Sequence, residues 1–464
     1  MQFMRGYLFL GLPFLGLLAV SALRGQQSQF QGSVPAGTAS ATPLELTLHD
    51  AIDRGLKTNL GLLVGESASE ASRGQRLQAL SALLPEAHAQ ATETEEQLNL
   101  KTLGFNIRIP GVNINPISGP FHTTDVRAYA SWTAFDYSAR QNFHSAQENL
   151  RATQLSVLDA RDLVVQATAS AYLQIIADAS RLEATRSQVT TAQALLDRAG
   201  DQQNAGTAAG IDVLRSQVEL KQQQQRVLAQ RNQLDKDKLS LARVIGLPPG
   251  QVLEIRETAP FSPLTSLTQD QALSAALTQR PDYQSYQARL RAAEDSVRAA
   301  RAERYPTADI NANYGDVGYT LASSHGTFTA EGSVKINVFD GGRIGADVVQ
   351  AQAALKQRKD ELADLAGQID YQVRSAFLDI RTAAEQVAVA QDNLDLADQT
   401  LAQARDRFAA GVTDNIEVVQ AQESVATATD DLINARYAHN LAKVGLARAL
   451  GGAEQGIQKF VEVK

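Results

Sequence analysis

Two stretches, from about Ala139 to Gln203 and from Ile344 to Phe408, contain no proline and hardly a glycine. Nothing in either stops an α-helix, and at 1.5 Å per residue each would run roughly 95–100 Å. A globular helix seldom exceeds about 20 residues, so segments this long must be covered by other helices along their length. The covering pattern is written near the end of the second stretch. Val387, Leu394, Leu401 and Phe408 recur every seven residues, with Ala383, Ala390, Ala397 and Ala404 interleaved. A seam that alternates large residues with alanine lets helices approach closely and pack knobs into holes. Each stretch ends near a glycine, Gly206 or Gly411. The tips Asn204-Ala205-Gly206-Thr207 and Ala410-Gly411-Val412-Thr413 lead into shorter helical segments. Glycine supplies the left-handed residue that ends a helix, and the Thr and Asp that follow can cap the next. The expectation is two antiparallel coiled hairpins.

The two hairpins belong to a tandem duplication. Leu46-Thr47-Leu48-His49-Asp50-Ala51-Ile52 returns 221 residues later as Leu267-Thr268-Gln269-Asp270-Gln271-Ala272-Leu273, and Leu84-Pro85 returns as Tyr305-Pro306 at the same offset. Phe135-Asp136 matches Phe339-Asp340, Gly206 matches Gly411, and Ala242-Arg243-Val244-Ile245-Gly246 matches Ala447-Arg448-Ala449-Leu450-Gly451, all 204 or 205 residues on. The drop in offset places about 17 extra residues of the first copy in the Gly- and Pro-rich stretch between Pro85 and Phe135.

After each proline the hydrophobic period falls from helical to two. Ala308, Ile310, Ala312 and Tyr314 alternate with polar residues. So do Phe328, Ala330, Gly332, Val334, Ile336 and Val338, and in the first copy Val126, Ala128, Ala130, Trp132 and Ala134. Its outgoing partner, near Ala87 to Leu98, is more polar. About ten residues with one apolar face is the length of a tilted strand crossing a bilayer. Periodicity alone equally allows a soluble antiparallel sheet packed on helices. The order read from the sequence is a first repeat over 46–250 (helix 48–84, β-hairpin 86–136, helices 139–203 and 212–245) and a linker over 251–266. The second repeat covers 267–451 (helix 269–305, β-hairpin 307–340, helices 343–409 and 414–450), followed by a tail over 452–464.

At the N-terminus Arg5 precedes an apolar run from Tyr7 to Val20 and the small residues Ser21 and Ala22, the form of a secretory signal peptide over 1–26. A polar, flexible linker follows over 27–45. Beyond the signal no apolar run reaches spanning length, so a role in the membrane must use strands. The chain lacks cysteine, which excludes disulfides, thiolate metal sites and cysteine nucleophiles. Its net charge of −8 comes without a basic block, so nucleic-acid binding has no footprint. No phosphate-cradling glycine loop stands out. Six histidines, His49, His88, His122, His144, His325 and His439, show no ligand spacing and read as surface or packing residues.

Four strands cannot close a barrel, and an open edge cannot sit in lipid. Closure demands copies, with a dimer giving eight strands and a trimer twelve. Leu48-x-x-Ala51-Ile52-x-x-x-Leu56-x-x-Asn59, Leu84-Pro85, Phe339-Asp340-Gly341-Gly342, Gly411…Glu417-Val418-Val419 and Ala435-Arg436-Tyr437…Asn440-Leu441-Ala442…Arg448-Ala449-Leu450-Gly451 resemble TolC-like outer-membrane efflux proteins, in order and in duplicate. The resemblance implies a mainly α chain with a β-barrel part: a homotrimer whose twelve-stranded outer-membrane barrel continues into an α-helical barrel across the periplasm. It implies outer-membrane lipid around the strands, a periplasmic adaptor docked at the helical tips and an inner-membrane pump that supplies the energy. No cofactor, metal or catalytic group is implied, and the chain is not expected to be an enzyme.

By the same resemblance the periplasmic aperture falls on Asp212, Phe408, Thr413, Glu417 and Gln420. Asp212 and Glu417 match acidic residues, whereas Phe408 stands in place of a tyrosine, Thr413 of an arginine and Gln420 of an acid. These departures predict an aperture with less charge than the type member's. First-turn compensation of the helix dipole accounts for Asp212 and Glu417 equally well. Gly206, Thr207, Gly411, Val412 and Thr413 are the candidate adaptor contacts. Two other classes compete. A pore-free periplasmic coiled coil explains the heptads but neither the paired strands nor the duplication, and a secreted hydrolase would need a convergent site that does not stand out.

Overall fold

Proline, capping side chains and small-residue seams set where each element starts and stops. The computed structural model describes residues 30–102, 104, 115–207, 209–264, 267–413 and 415–461. The signal peptide expected over 1–26 and the first residues of the following linker lie outside them, as do residues 105–114 of the turn-rich loop and Asp414. The elements are β1 (Leu44–Glu45), α1 (Leu48–Thr58), α2 (Leu60–Ser81), β2 (Glu86–Asn99), β3 (Ile117–Phe135), α3 (Tyr137–Asn204) and α4 (Gly210–Val244). Then come β4 (Leu253–Glu254), α5 (Gln269–Gln279), α6 (Pro281–Ala302), β5 (Thr307–Gly318), β6 (His325–Lys335), α7 (Arg343–Ala409), α8 (Asn415–Leu450) and α9 (Ala453–Phe460). Helix, helix, strand, strand, long helix and shorter helix thus occur twice. Among the described residues no helix is long and apolar enough to cross a membrane.

Matching residues of the two copies do matching work at the helix starts. Thr47 and Thr268 close capping boxes with Asp50 and Gln271. Asp136 accepts from the Ala139 backbone N–H at 2.9 Å, and Asp340 from those of Gly342 and Ile344 at 2.9 and 2.8 Å, so the two Phe-Asp pairs cap the two longest helices.

The helices expected over 48–84 and 269–305 are each broken in two. In the first copy the break is Asn59, fully buried, whose side chain donates to the Phe30 carbonyl at 2.7 Å and accepts from the Gly61 N–H at 2.9 Å. In the second it is Arg280, which takes extended backbone because Pro281 follows it. Three further segments differ from expectation. The linker over 27–45 is bound down from residue 30, with Val34 and Ala36 donating to the carbonyls of Thr58 and Gly246 and β1 pairing in parallel with β4. The tail over 452–464 contains α9, which buries Ala453, Ile457 and Val461 in the main core. Finally β6 stops at Lys335, leaving Ile336 and Val338 beyond the strand and exposed.

The chain forms two compact units. One holds residues 69–152 and 286–362 and contains a four-stranded antiparallel sheet in the order β2-β3-β5-β6. Its register lines up Ala87, Ala130, Ala312 and Ala330 in one row and Ala89, Ala128, Tyr314 and Phe328 in the next, flanked by Trp132 with Ile310 and Gly332. The intervening rows, such as His88, Tyr129, Asn313 and Thr329, are mostly polar. One face is therefore apolar across all four strands in these two rows, before Asp316 and Glu93 enter it in the rows beyond, yet Tyr314, Phe328 and Val334 are exposed within the single chain. The polar face is exposed on β2 and most of β6 but mostly half-buried on β3 and β5, and among the described residues β2 and β6 each pair along one side only.

The other unit holds residues 30–68, 153–285 and 363–461 among those described. Its core gathers Leu48, Ile52, Val165, Ala169, Tyr172, Leu241 and Val444. Arg280 is nearly buried and forms a two-pronged pair with Asp282, at 3.0 and 2.6 Å, while also donating to Gln372 and to the Ala449 carbonyl. Gly451, at φ +77°, lets this knot close, because a Cβ there would lie 2.5 Å from the Arg280 Cα. Burial raises the Asp282 carboxyl, but the bonds from Arg280 outweigh it and hold the group below its ordinary range. The segment after β4 is strapped onto α8: Asn440 donates to the Ala259 carbonyl at 3.4 Å, Lys443 to that of Ser262, and the fully buried His439 ring packs on Phe261. Neither His439 ring nitrogen has a hydrogen-bond partner. Burial, helped by the Lys443 charge, pushes this imidazole down to about 4.

Two outcomes follow from these packing facts. Arg280→Ala strands a buried carboxylate and should cost about 3–5 kcal/mol, read as a lower denaturant midpoint. Because His439 binds its proton more weakly when folded, its contribution is complete above about pH 6.5 and is lost as pH falls toward 4. Melting temperature should drop across that window, and His439→Phe should flatten the drop; an unchanged slope would contradict the assignment.

Candidate aperture and docking site at the helical tips

Each hairpin tip is closed by the same backbone device. At the end of α3 the Gly206 N–H donates to the Gln203 carbonyl at 2.9 Å and the Thr207 N–H to that of Gln202 at 2.8 Å, with Gly206 at φ +74°. At the end of α7 Gly411 donates to Phe408 at 3.1 Å and Val412 to Arg407 at 3.0 Å, with Gly411 at φ +71°. These paired bonds satisfy carbonyls that a helix end otherwise leaves open. The Thr207 hydroxyl also donates to Gln202, at 3.0 Å. It closes the helix behind it and does not cap α4, whose N-cap, Ala209, has no side-chain bond. Gly206, Thr207, Gly411 and Val412 are exposed, and Thr413 is half-buried.

Asp212 sits in the first turn of α4 with its side chain only 12% exposed, 3.3 Å from the Arg215 guanidinium. Glu417, in the first turn of α8, pairs with Arg407 at 2.9 Å across the second tip. The two carboxylates thus have separate partners and share no network. Phe408 is placed inside the hairpins, 6% exposed, among Leu195, Leu401, Ala404, Val418 and Ala421. Its ring packs the tip and does not project into solvent. Gln420 is exposed and borders a groove of about 370 Å³ walled by Ile211, Leu214, Val218, Ile416 and Val419.

One residue that sequence reasoning missed holds the starts of α4 and α8 together. Asn415 is fully buried, and its amide donates to the Asp212 carbonyl at 3.2 Å and to the Ser216 hydroxyl at 2.6 Å. Ser216 in turn donates to the same Asp212 carbonyl at 3.0 Å. Its counterpart in the first copy is Gly210, so the duplication gave no signal for it. Among the described residues no group of His, Cys, Asp and Glu could hold a metal ion.

Comparison with known proteins bears on a fold of this kind. The family model "Outer membrane efflux protein" matches residues 51–247 and again 272–452. The chain is 24% identical over 384 residues to the pyoverdine export outer membrane protein OpmQ of Pseudomonas aeruginosa, covering 80% of this chain and 78% of that one. It is 26% identical over 329 residues to the toluene efflux pump outer membrane protein TtgC of Pseudomonas putida, covering 68% of this chain and 64% of that one. Among solved structures, CusC superimposes with a TM-score of 0.77 at 17% identity, over 90% of this chain and all of that one. The outer membrane protein VceC of Vibrio cholerae superimposes with a TM-score of 0.76 at 19% identity, over 87% and 96%. With its strand-bearing sheet, its duplicated helical hairpins and a family match across both copies, the chain belongs to the outer membrane efflux protein family.

Proposed function

We propose that this chain is the outer-membrane channel subunit of a tripartite efflux pump or type I secretion system, a passive exit duct that carries out no catalysis. The observation that supports the reading is the sheet: apolar rows that span all four strands and lie exposed in the single chain, with both outer edges unpaired among the described residues. In water that face and those edges are an aggregation hazard; in lipid they need closure, because each unpaired N–H or C=O costs several kcal/mol there. Three copies supply twelve strands and close the barrel, with outer-membrane lipid against the apolar face. A pore-free periplasmic coiled coil would leave the same face in water.

The exposed tips at Gly206, Thr207, Gly411, Val412 and Thr413 are where a periplasmic adaptor docks, and an inner-membrane pump provides the energy. Relatives are named for pyoverdine and for toluene, two different cargoes on one family of channel. Cargo is accordingly selected by the pump. The periplasmic aperture lies at the starts of α4 and α8, around Asp212, Thr413, Glu417 and Gln420, with Phe408 packing behind it. The Arg215–Asp212 and Arg407–Glu417 pairs are partly solvated, so each contributes under about 1 kcal/mol. The buried Asn415 bonds are the stronger tie, since stranding such groups costs about 1–3 kcal/mol each.

Purified from outer membranes, the protein should run as a heat-modifiable trimer and conduct ions in planar bilayers; a monomer without conductance would overturn the duct. Asp212→Ala with Glu417→Ala should raise single-channel conductance by less than about fivefold, and Asn415→Ala should raise it more. The reverse order would show that charge, not the buried amide, holds the aperture.

A further inference from the structure

A cavity of about 330 Å³ lies between α3, α4, α7 and α8. Its walls are apolar at Ala192, Leu401 and Val425, and one part of its lining is made by Glu219, Gln223 and Gln422. All three polar residues are more than nine-tenths buried. The Gln223 amide donates to a Glu219 carboxylate oxygen at 2.7 Å. That bond fixes which way the amide points and leaves its Oε1 without a hydrogen-bond partner. The Gln422 Oε1 is buried and unpartnered in the same way. Among the described residues Glu219 takes part in no ion pair within 4 Å. The nearby Arg226 is engaged with Glu423 at 2.7 Å.

Two orphaned carbonyl oxygens, beside a buried carboxylate with one amide donor and no salt bridge, are costly unless something further donates there. All three present acceptors, which favours an occupant that donates hydrogen bonds over an anion. The rim carries one exposed charge of each sign, Asp398 and Arg405, so the interior charge is that of Glu219. One carboxylate with amide oxygens falls short of what a divalent metal needs from its ligands, whereas an ammonium or guanidinium group brings one positive charge and several N–H donors. The volume is at the lower end of small-molecule sites.

We propose that this cavity binds a small organic cation, an amine or guanidine with a compact apolar body: the charged head on Glu219, Gln223 and Gln422, the body against Ala192, Leu401 and Val425. The site is built within one chain, is assigned to no step of export, and stands whether or not the duct reading holds. The same cavity is walled by Leu401, which also packs on Phe408, so an occupant touches the packing behind the tips.

The test is isothermal titration of the full detergent-solubilised protein at pH 7 with benzylammonium, and with benzyl alcohol as the uncharged probe of like shape. Benzylammonium should bind saturably and at least tenfold more tightly than the alcohol. Glu219→Gln, which removes the charge, and Ala192→Leu, which fills the apolar wall and keeps the charge, should each weaken it at least tenfold. Glu423→Gln, outside the cavity, should leave it unchanged. Absence of saturable binding, equal affinity for the alcohol, or full affinity in either cavity variant would overturn the assignment, as would displacement of benzylammonium by millimolar magnesium. The two cavity variants act by opposite means, so a failure of one to assemble leaves the other to decide.

Discussion

The strands of the sheet carry backbone N–H and C=O groups on two outer edges, and hydrocarbon offers those groups nothing to bond. That constraint orders the rest of the strand-bearing unit. β2 and β6 each pair along one side, while the rows Ala87-Ala130-Ala312-Ala330 and Ala89-Ala128-Tyr314-Phe328 give a face that water would not cover willingly. A chain with only these four strands has no internal way to satisfy both demands. Among the described residues the duplication doubles a hairpin to four strands, and in the function proposed above further copies close the barrel. Small residues on the apolar rows suit this, since they leave the curvature of the sheet free to be set by closure.

The helices meet a related demand by different means. A helix satisfies its own backbone, so what must be covered is the stripe of side chains along α3 and α7. Ala383, Ala390, Ala397 and Ala404 are all buried, as are Val387, Leu401 and Phe408. Alanine every seventh residue brings neighbouring backbones close, and the large residue between fills the remaining space. Close approach leaves little room for polar side chains, and those that intrude must be matched. Asn415 is matched by Asp212 and Ser216, and Arg280 by Asp282 and Gln372. Gln223 and Gln422 each keep an unpartnered carbonyl oxygen, and those two mark a cavity.

Features repeated by local chemistry were legible in the sequence: proline stops before the strands, glycines at the tips and the alternating rows of the sheet. Features set by contacts distant in sequence were not. The break at Asn59 depends on the Phe30 carbonyl and the Gly61 N–H, and neither proline nor helix-ending glycine marks it. The break at Arg280 did carry a local signal in Pro281, masked by helical periodicity on both sides. The helix α9 hides in a short stretch that reads as a polar tail, in which Ala453, Ile457 and Val461 are buried in the core and Phe460 packs against it.

At the candidate aperture the residues named from the family pattern divide into polar groups, exposed or half-buried except at Asp212, and one buried ring. Phe408 was expected beside the acids as a gating side chain, yet loss of a hydroxyl makes a ring easier to bury, and the tip buries it against Leu195 and Val418. Once that ring is inside, an ion-pair latch no longer has its hydrogen-bonding neighbour. What ties α4 to α8 here is a side-chain amide on a backbone carbonyl, shielded from water and therefore insensitive to salt. Charge at such a tip remains at the surface, where Glu417 and Arg407 meet. There it is suited to recognising another protein and poorly suited to holding a helix in place.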